Sequence, residues 1–390
     1  MSNTKRKLKM GMLGGGPGAF IGEVHRWAVR LDGNIEIVAG AFDIDPEKSK
    51  QTGSELGLDS SRVYDDYKKM IEGELSLSED ERIDFVSITT PNNWHFPMAR
   101  DFLKAGFNVM CEKPMTISVE EALELEVLVK ETGKVFGLMH TYTGYPMVKL
   151  AKDLVSKGEL GEIRKVVVKY PQGWLTTALE KTGQMQASWR TDPKQTGAGG
   201  SIGDIGTHAA NLAEYITGLE ITEISADITT FVEGRPVDDD ANSLLRFSNG
   251  AKGVLYCSQV AVGEENAIAI WVHGKEKSLE WHQEEPNFLY LKDGNNPVQT
   301  WKRGNQYVAD VSEAAARATR LPSGHPEAML EAVANIYNNF GDTIRNKENK
   351  LDIDEKLIND FPNVSDGVKG MKFIDAVIKN SRGNDKWTSI

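Results

Sequence analysis

The sequence predicts an α/β protein of two domains: an N-terminal parallel sheet covered by helices, and a C-terminal α+β domain with a large, mostly antiparallel open sheet. Three observations lead to this prediction. A glycine-rich turn separates a strand pattern from a helix pattern near the N-terminus, strand and helix patterns alternate through the first third, and strand patterns dominate the remainder. Alternation is typical of a parallel sheet with helices on both faces, whereas strands in series are typical of an antiparallel sheet.

The chain is long enough for two separate cores. It has 390 residues, of which 40% are hydrophobic, and one domain usually spans about 100 to 200 residues. Because the pattern changes after His140, we predict a first domain over 1–141 and a second domain over 142–390. Apolar residues at helical spacing predict a C-terminal helix at about 367–381 that packs back onto the protein.

Charge and hydrophobicity argue against several classes of protein. The net charge of -12 disfavours nucleic acid, whose binding depends on Lys and Arg that neutralise phosphates. No run approaches the roughly 20 apolar residues of a membrane span, and the basic cluster at positions 5–7 leads into a glycine-rich segment instead of the apolar region of a signal peptide. The widely separated Cys111 and Cys257 favour a reducing compartment. We therefore expect a cytoplasmic protein, and no metal, since the seven histidines lack zinc-site spacing.

The glycine-rich turn lies between a predicted strand, Leu8 to Leu13, and a helix that begins at Phe20. It fits the G-x-G-x-x-G/A pattern of a Rossmann domain, in which the first glycine permits a tight turn and the second lets a pyrophosphate approach backbone N–H groups. Taken by itself, the motif fits equally well a glycine-rich turn that binds no ligand. The predicted cofactor-binding residues here are Gly14, Gly16, Pro17, Gly18, Ala19 and Phe20.

A carboxylate follows the second predicted strand, Ile35 to Phe42. Asp43 stands close to where an acidic side chain accepts hydrogen bonds from the adenosine ribose, which favours NAD over NADP. A turn carboxylate is the alternative. Asp45 precedes Pro46 and is predicted to cap a helix instead.

Two further strand ends carry polar residues where ligands bind in open sheets. Thr90-Pro91-Asn92, with His95, follows the strand Phe85 to Thr89, and Glu112-Lys113-Pro114 follows the strand Asn108 to Cys111. A Lys-Pro pair can also be a simple surface turn. The acidic, Ser-rich stretch from 72 to 82 is predicted to be a solvated loop.

An acid and an imidazole stand four residues apart in the second domain. On a helix, Asp204 and His208 would share one face. A nearby carboxylate raises the basicity of an imidazole, which suits His208 as a general base. From spacing alone, a structural pair is the alternative.

Taken together, these segments resemble the glucose-fructose oxidoreductase and inositol dehydrogenase family (Gfo/Idh/MocA) over nearly the whole chain. The glycine turn with His25, the Thr90 and Glu112 segments, and Asp204 with His208 occur in the family's order and spacing. Relative to most members, three residues are inserted before Gly22, so which amides hold the pyrophosphate stays open. This glycine turn, with 188–192 and 324–327, is similar to a subgroup of sugar, glycoside and inositol dehydrogenases.

The resemblance implies a Rossmann domain, a C-terminal open-sheet domain and a nicotinamide cofactor at the cleft between them. It implies that Lys113 is the catalytic lysine, His208 the proton acceptor and Asp204 its neighbour on the substrate hydroxyl. The residues that it places at the nicotinamide end of the cofactor are Thr90, Pro91, Asn92, His95, Glu112 and Lys113.

The implied reaction is reversible hydride transfer from a secondary hydroxyl of a cyclic polyol, such as a sugar, glycoside or inositol, to NAD. Trp174, Trp189 and Arg190 are candidates for the sugar site, with core tryptophans and a surface arginine as the alternative. An NAD-dependent glycosidase and a non-catalytic sugar sensor stay open as other functions. Apolar residues on both alternations of 254–261 lead us to expect a homodimer or homotetramer.

Overall fold

The computed structural model of the chain describes residues 6–349 and 353–390, so Lys5 of the basic cluster lies outside the described residues. The chain divides into two compact units. Unit 1 comprises Met1–Thr116, Glu120–Met139 and Val333–Val368, and unit 2 comprises Ile117–Val119, His140–Ala332 and Lys369–Ile390. The sequence boundary at 141/142 falls close to the passage at His140, but a C-terminal segment also belongs to unit 1.

Unit 1 contains a five-stranded sheet in which every strand pair is parallel, with the order β2-β1-β3-β4-β5. Its strands are β1 (Leu8–Gly14), β2 (Ile35–Ala41), β3 (Phe85–Thr89), β4 (Asn108–Cys111) and β5 (Phe136–Leu138). Gly14 lies opposite Thr89, and Ile88 lies opposite Cys111. This register brings the carboxyl ends of β1, β3 and β4 side by side, so the three polar segments that follow them are neighbours.

The helices that lie between the strands of unit 1 follow the predicted alternation. They are α1 (Phe20–Arg30), α2 (Pro46–Glu55), α3 (Tyr67–Ser76), α4 (His95–Lys104) and α5 (Val119–Thr132). All five residues of β3 are buried, as expected for a parallel strand covered on both faces.

One loop prediction in unit 1 is wrong. The stretch from 72 to 82 begins inside α3, and Glu74 is fully buried. Its carboxylate pairs with the Arg62 guanidinium at 2.5 Å and accepts a hydrogen bond from the Ile83 backbone N–H at 2.9 Å. Acidic composition predicted solvent exposure, but a buried carboxylate is tolerated when it is paired and hydrogen-bonded in this way.

Unit 2 contains a nine-stranded sheet with the order β13-β12-β11-β10-β6-β9-β8-β7-β14. Only the β6–β9 pair is parallel among the strand pairs of the described sheet, which confirms the mostly antiparallel prediction. The strands are β6 (Ile163–Pro171), β7 (Ile221–Thr229), β8 (Asp240–Phe247), β9 (Lys252–Ser258), β10 (Ala269–Gly274), β11 (Lys277–His282), β12 (Phe288–Asp293), β13 (Gln299–Lys302) and β14 (Thr388–Ser389). The two edge strands β13 and β14 were not predicted.

The remaining helices include the predicted C-terminal helix. They are α6 (Pro146–Ser156), α7 (Met185–Arg190), α8 (Pro193–Thr196), α9 (Thr207–Thr217), α10 (Gln306–Ala309), α11 (Glu313–Arg317), α12 (Met329–Asn349), α13 (Glu355–Ile358) and α14 (Val364–Arg382). The apolar residues of α14 that formed the predicted pattern are buried, including Met371, Phe373 and Val377. Across the described ranges, no helix combines the length and apolar character needed to cross a membrane.

Candidate functional site

The glycine turn after β1 depends on glycine at several positions. Gly14, Gly15 and Gly18 have φ angles of 78°, 79° and 81°, a left-handed conformation that glycine adopts without steric cost. A Cβ atom on Gly22 would lie 2.3 Å from the Cα of Gly15. In the G-x-G-x-x-G pattern, the third glycine lets the helix pack closely against the turn. Gly22, three residues after Ala19, therefore takes this role.

Gly16 brings the turn against the end of β2. Its N–H donates to the Phe42 carbonyl at 2.9 Å, and a Cβ atom here would lie 3.0 Å from Asp43 Oδ2. Asp43 Oδ1 accepts a hydrogen bond from the backbone of Asp45 at 2.9 Å. Asp45 caps α2 by accepting from Glu47 N at 3.0 Å, which confirms its predicted role.

The tip of the turn has the features that a dinucleotide diphosphate requires. Pro17 and Gly18 are exposed, and α1 begins after Ala19, which provides no side-chain cap. The first N–H groups of such a helix can bind an anion, with the helix dipole adding to the attraction. The guanidinium of Arg26 is hydrogen-bonded to the Gly15 carbonyl and adds positive charge beneath the turn. Together with the Asp43 carboxylate for a ribose, these residues fit NAD.

Glu112 is buried directly after β4. Its Oε1 lies 2.8 Å from His25 Nε2, and its Oε2 accepts a hydrogen bond from the Lys113 backbone N–H at 3.0 Å. Burial by itself would raise the pKa of Glu112, but the hydrogen bond from His25 and the charges of His25 and Lys113 outweigh it and lower the pKa. Glu112 is therefore an ionised acceptor beside Lys113.

His95 connects the ends of β3 and β4. Its Nδ1 lies 2.8 Å from the Pro114 carbonyl oxygen and its Nε2 lies 2.9 Å from the Thr90 carbonyl oxygen. The ring is fully buried, and this burial lowers its pKa against the opposing effect of the two carbonyl groups. With both nitrogens engaged by backbone, the geometry favours a positioning role for His95 over the direct cofactor contact expected from the resemblance.

The other predicted residues of unit 1 gather at the same sheet edge. Asn92 is buried in a short turn that follows Pro91, while Thr90 and Lys113 are half-buried. The neighbouring Asn93 Oδ1 is buried without a hydrogen-bond partner among the described residues. An orphaned polar atom at this edge is consistent with a ligand that completes the site.

Asp204 lies in a π-helical turn, Ile202–Gly206, immediately before α9. The spacing argument considered both residues on one helix, whereas the structure has only His208 in α9 and Asp204 in the preceding π-helical turn. The Asp204 Oδ2 atom accepts a hydrogen bond from Gln259 Nε2 at 2.8 Å and lies 3.4 Å from Arg190 Nε. Single π-helical turns occur frequently at functional sites because they re-aim side chains.

His208 is surrounded by aromatic rings of unit 2. Its Nδ1 lies 3.3 Å from the Nδ1 of His140. The Tyr142 ring packs edge-on against it with centroids 4.9 Å apart, and the Tyr170 ring lies 6.2 Å away. The imidazole is therefore held in orientation by packing as well as by its histidine partner.

The three sugar-site candidates come together with Asp204. The Arg190 guanidinium stacks on the Trp189 ring at 4.2 Å and lies 5.9 Å from the Trp174 ring. Both tryptophans are half-buried, so the alternative of core tryptophans does not describe them. Arginine stacked on an aromatic face leaves its N–H groups directed sideways, where they can bind hydroxyl or carboxylate oxygens.

A line of hydrogen bonds links the surroundings of His208 to Trp174. Tyr170 Oη donates to Asn266 Oδ1 at 2.6 Å, Gln172 Nε2 donates to the same oxygen at 2.9 Å, and Trp174 Nε1 donates to Gln172 Oε1 at 3.1 Å. Unit 2 thus gathers an acid, two imidazoles, amides, an arginine and indole rings. Lys113 belongs to unit 1, so the predicted catalytic residues are divided between the units.

Sequence reasoning missed several residues that build this site. His140 and Gln259 had no motif that marked them. Asp238 accepts hydrogen bonds from Gly200 N at 2.6 Å and Ile202 N at 2.8 Å, and so holds the start of the π-helical turn. Its place in a run of three aspartates, 238–240, was the available signal. Among the described residues, no group of three or more His, Cys, Asp or Glu side chains could hold a metal ion.

Comparison with known families gives two matches. Residues 8–140 match the family model described as an oxidoreductase family with an NAD-binding Rossmann fold. Residues 148–280 match the model of the GFO/IDH/MocA C-terminal domain.

Individual proteins are similar along nearly the entire chain. An uncharacterized oxidoreductase, YfiI, of Bacillus subtilis is 32% identical over 387 residues, which cover 98% of this chain and 96% of the relative. A crystal structure of an oxidoreductase from Sinorhizobium meliloti has 42% identity and a TM-score of 0.87, covering 98% of this chain and 100% of that chain. An inositol dehydrogenase homolog from Azotobacter vinelandii, complexed with NADH and myo-inositol, has 33% identity and a TM-score of 0.90, covering 99% and 98% of the two chains.

Proposed function

The chain belongs to the Gfo/Idh/MocA family of oxidoreductases, and from this premise we propose that it oxidises a secondary hydroxyl of a cyclic polyol, with NAD as the hydride acceptor. It is an NAD-binding oxidoreductase of the sugar and inositol dehydrogenase type. The observation that carries the finer proposal is the cluster in unit 2, where Arg190 contacts both Trp189 and Asp204. This cluster combines an aromatic face with fixed polar groups, as a polyol site requires.

The chemistry of the cluster suits a ring that carries several hydroxyl groups. Indole faces contact the C–H surface of such a ring, while carboxylate, guanidinium and amide groups form hydrogen bonds with its hydroxyls. The positive charge of Arg190 is accompanied by the Asp204 carboxylate at 3.4 Å. The similar Azotobacter vinelandii structure holds myo-inositol, which supports the same class of substrate here.

In the proposed reaction, each residue acts on one substrate hydroxyl. Lys113 polarises the hydroxyl and stabilises the developing alkoxide as a fixed positive charge. His208 accepts the hydroxyl proton as general base. Asp204, held by Gln259 and Arg190, orients the hydroxyl. NAD, held by the cofactor residues of unit 1, would supply the acceptor for the hydride of the carbinol carbon.

Unit 1 contributes the residues that would hold the cofactor. The uncapped N-terminus of α1 suits the diphosphate, and Asp43 suits the adenosine ribose. The Thr90–Asn92 segment and Glu112 lie at the same edge of the sheet, where the nicotinamide end would be bound. We also predict a cytoplasmic location and assembly into a homodimer or homotetramer.

A substrate screen tests this proposal. Purified protein with NAD is offered myo-inositol and its isomers, hexoses, and hexosides with a chromogenic aglycone, while NADH absorbance and aglycone release are recorded together. We expect NADH to form in equal amount to a ketone product with at least one polyol. Melting temperatures with NAD, with and without each polyol, identify binding that precedes turnover.

Two results would contradict the dehydrogenase. Release of the aglycone without accumulation of NADH would indicate a glycosidase that returns the hydride to the sugar. Binding of NAD and a polyol with no product of either kind would indicate a sensor. The Trp189→Leu variant is a control for the site, since loss of the aromatic face should raise KM more than it lowers kcat.

A further inference from the structure

We propose that two buried histidines, His25 and His95, hold the backbone on either side of Lys113 and are positioning residues for that lysine. The inference rests on the catalytic role proposed for Lys113. All of the contacts involved lie within unit 1. Both imidazoles are fully buried, so neither is accessible to a substrate.

The first histidine acts through a line of buried hydrogen bonds. Ser87 Oγ lies 2.7 Å from Tyr337 Oη, and that phenol oxygen lies 2.6 Å from His25 Nδ1. His25 Nε2 lies 2.8 Å from Glu112 Oε1, and Glu112 Oε2 accepts from the Lys113 N–H at 3.0 Å. The line therefore runs from the middle of β3, through α12 and α1, to the amide of the proposed catalytic lysine.

The hydrogen on His25 Nε2 follows from its partner. Glu112 is ionised at neutral pH and can only accept, so Nε2 carries the hydrogen that binds it. A carboxylate that receives a hydrogen bond on each oxygen has a fixed orientation. Loss of the Nε2 donor would leave a buried carboxylate with one partner fewer, which is costly enough to displace it.

The second histidine acts on the other side of the lysine. His95 Nδ1 lies 2.8 Å from the carbonyl oxygen of Pro114, and Nε2 lies 2.9 Å from that of Thr90. The Pro114 residue has no N–H of its own, so its carbonyl is the backbone group that can hold this turn. Burial favours the neutral ring, which donates through only one of its nitrogens. We place that hydrogen on Nδ1, where it binds the Pro114 carbonyl, while Nε2 packs against the end of the neighbouring strand at Thr90.

A lysine that stabilises an alkoxide gains from such support because displacement of a catalytic group by about 1 Å can cost about 100-fold in rate. Lys113 sits on a turn, and turns are less rigid than strands or helices. Hydrogen bonds to the Lys113 N–H and to the Pro114 carbonyl restrict the turn on both sides of the lysine.

Amide substitutions can separate the two nitrogens of each imidazole. An asparagine places its amide nitrogen where Nδ1 stands, whereas a glutamine, one bond longer, places it where Nε2 stands. His25→Gln therefore keeps the donor to Glu112, and His25→Asn loses it. At the other position the order is reversed, since His95→Asn keeps the donor to Pro114 and His95→Gln loses it.

The proposal predicts that kcat ranks the asparagine and glutamine variants in opposite orders at positions 25 and 95. We expect kcat to fall by about 10- to 100-fold in His25→Asn and in His95→Gln, which is the range for leaving one buried polar group without its hydrogen-bond partner. His25→Gln and His95→Asn should stay within about threefold of wild type. A packing role predicts instead that glutamine, the larger amide, is better at both positions and that activity follows melting temperature. His325→Asn and His325→Gln, at an exposed histidine, are matched controls.

A readout that needs no substrate separates this proposal from the proposed function. Hydrogen exchange of the peptide spanning 108–116 reports on the Lys113 amide, which should exchange faster in His25→Asn than in His25→Gln. Tyr337→Phe removes the phenol from His25 while keeping the ring, and it serves as the second variant if His25→Asn does not fold. If wild type turns over no polyol, the proposed function fails and exchange alone decides. The inference would be overturned if the two histidine positions ranked their amide variants in the same order by kcat. It would also be overturned if the Lys113 amide exchanged equally fast in His25→Asn and His25→Gln, and equally fast in Tyr337→Phe and wild type.

Discussion

The Nδ1 atoms of His140 and His208 lie 3.3 Å apart within unit 2. Two imidazole nitrogens in contact share one hydrogen, so one ring donates and the other accepts. The two rings meet edge to face, with centroids 5.2 Å apart. His140 therefore constrains which nitrogen of His208 carries a hydrogen, a property that a general base requires.

The first prediction concerns this pair. His140→Phe keeps an aromatic ring but removes the nitrogen, and we expect kcat to fall by about tenfold, the value of one buried hydrogen bond. His140→Asn retains an amide at the position of Nδ1 and should recover part of the loss. Steady-state kinetics on both variants, with melting temperatures as the control for folding, make the comparison. Equal turnover in His140→Phe and wild type would show that the contact between His140 and His208 does not contribute to catalysis.

Asp43 should select NAD over NADP. Its carboxylate lies at the end of β2 against Gly16, and it would face the 2′-phosphate of NADP with like charge. We expect a higher kcat/KM with NAD, and Asp43→Ser should narrow the difference between the two cofactors. Equal or better efficiency with NADP in the wild-type protein would refute the assignment.

The sequence predicted the central strands well because their apolar runs are long and end at polar or glycine residues. Strands β3 and β4 were predicted to the residue, and the fold class is confirmed. The two edge strands were not predicted, and the reason is physical. The exposed β13 and the two-residue β14 have few buried residues, so their sequences show no apolar pattern of a strand.

Side chains that meet across the fold were beyond sequence reasoning. Tyr337 lies 312 residues from His25 in the chain, and no local pattern in a helix such as α12 marks the residue that reaches it. In the sequence, His140 marked only the boundary between the two predicted domains. The π-helical turn at Asp204 was missed because a spacing of four is natural for an α-helix, and the Asp238 contacts that accompany the turn come from a distant loop.

An apolar row crosses four strands on one face of the unit 2 sheet. Leu244 lies opposite Val254, Val254 opposite Val167, and Val167 opposite Trp271. These side chains are exposed or half-buried, whereas the alternate residues Leu245, Leu255 and Val168 are buried. An exposed apolar patch on a sheet is typical of an association surface.

We therefore predict a homodimer or homotetramer that associates through this row. Light scattering at micromolar concentration should give a mass above the 43.1 kDa of one chain, and Val254→Lys should shift the mass towards one chain. Thr222→Lys, at the exposed start of β7, is the control. A mass of 43.1 kDa for the wild type would contradict the prediction.

The segment that leads to the Trp189 helix depends on a buried ion pair. The Arg235 guanidinium contacts Glu180 Oε2 at 3.0 Å and donates to the carbonyl groups of Leu175 and Thr177, each at 3.0 Å. Burial would raise the pKa of Glu180, but the hydrogen bond from Arg235 and its charge outweigh it and lower the pKa. Since the carboxylate is favoured in the folded state, its stabilisation is present above the unfolded pKa of about 4.5 and is lost as pH falls through the folded value.

The corresponding test is Glu180→Gln. At pH 7 we expect the free energy of unfolding in urea to fall by about 1 to 3 kcal/mol, the range for a hydrogen bond to a charged group. The difference from wild type should shrink as the pH is lowered below about 4.5. A difference that is constant between pH 7 and pH 4 would indicate a packing effect instead of a charge.

The most direct measurement is single-turnover hydride transfer in Lys113→Met and His208→Ala, with NAD affinity and melting temperature determined on the same samples. If Lys113 polarises the hydroxyl and His208 accepts its proton, the rate should fall by about 10² to 10⁴-fold in each variant, while NAD affinity changes little. Turnover within about threefold of wild type in the folded protein for both variants would contradict the account.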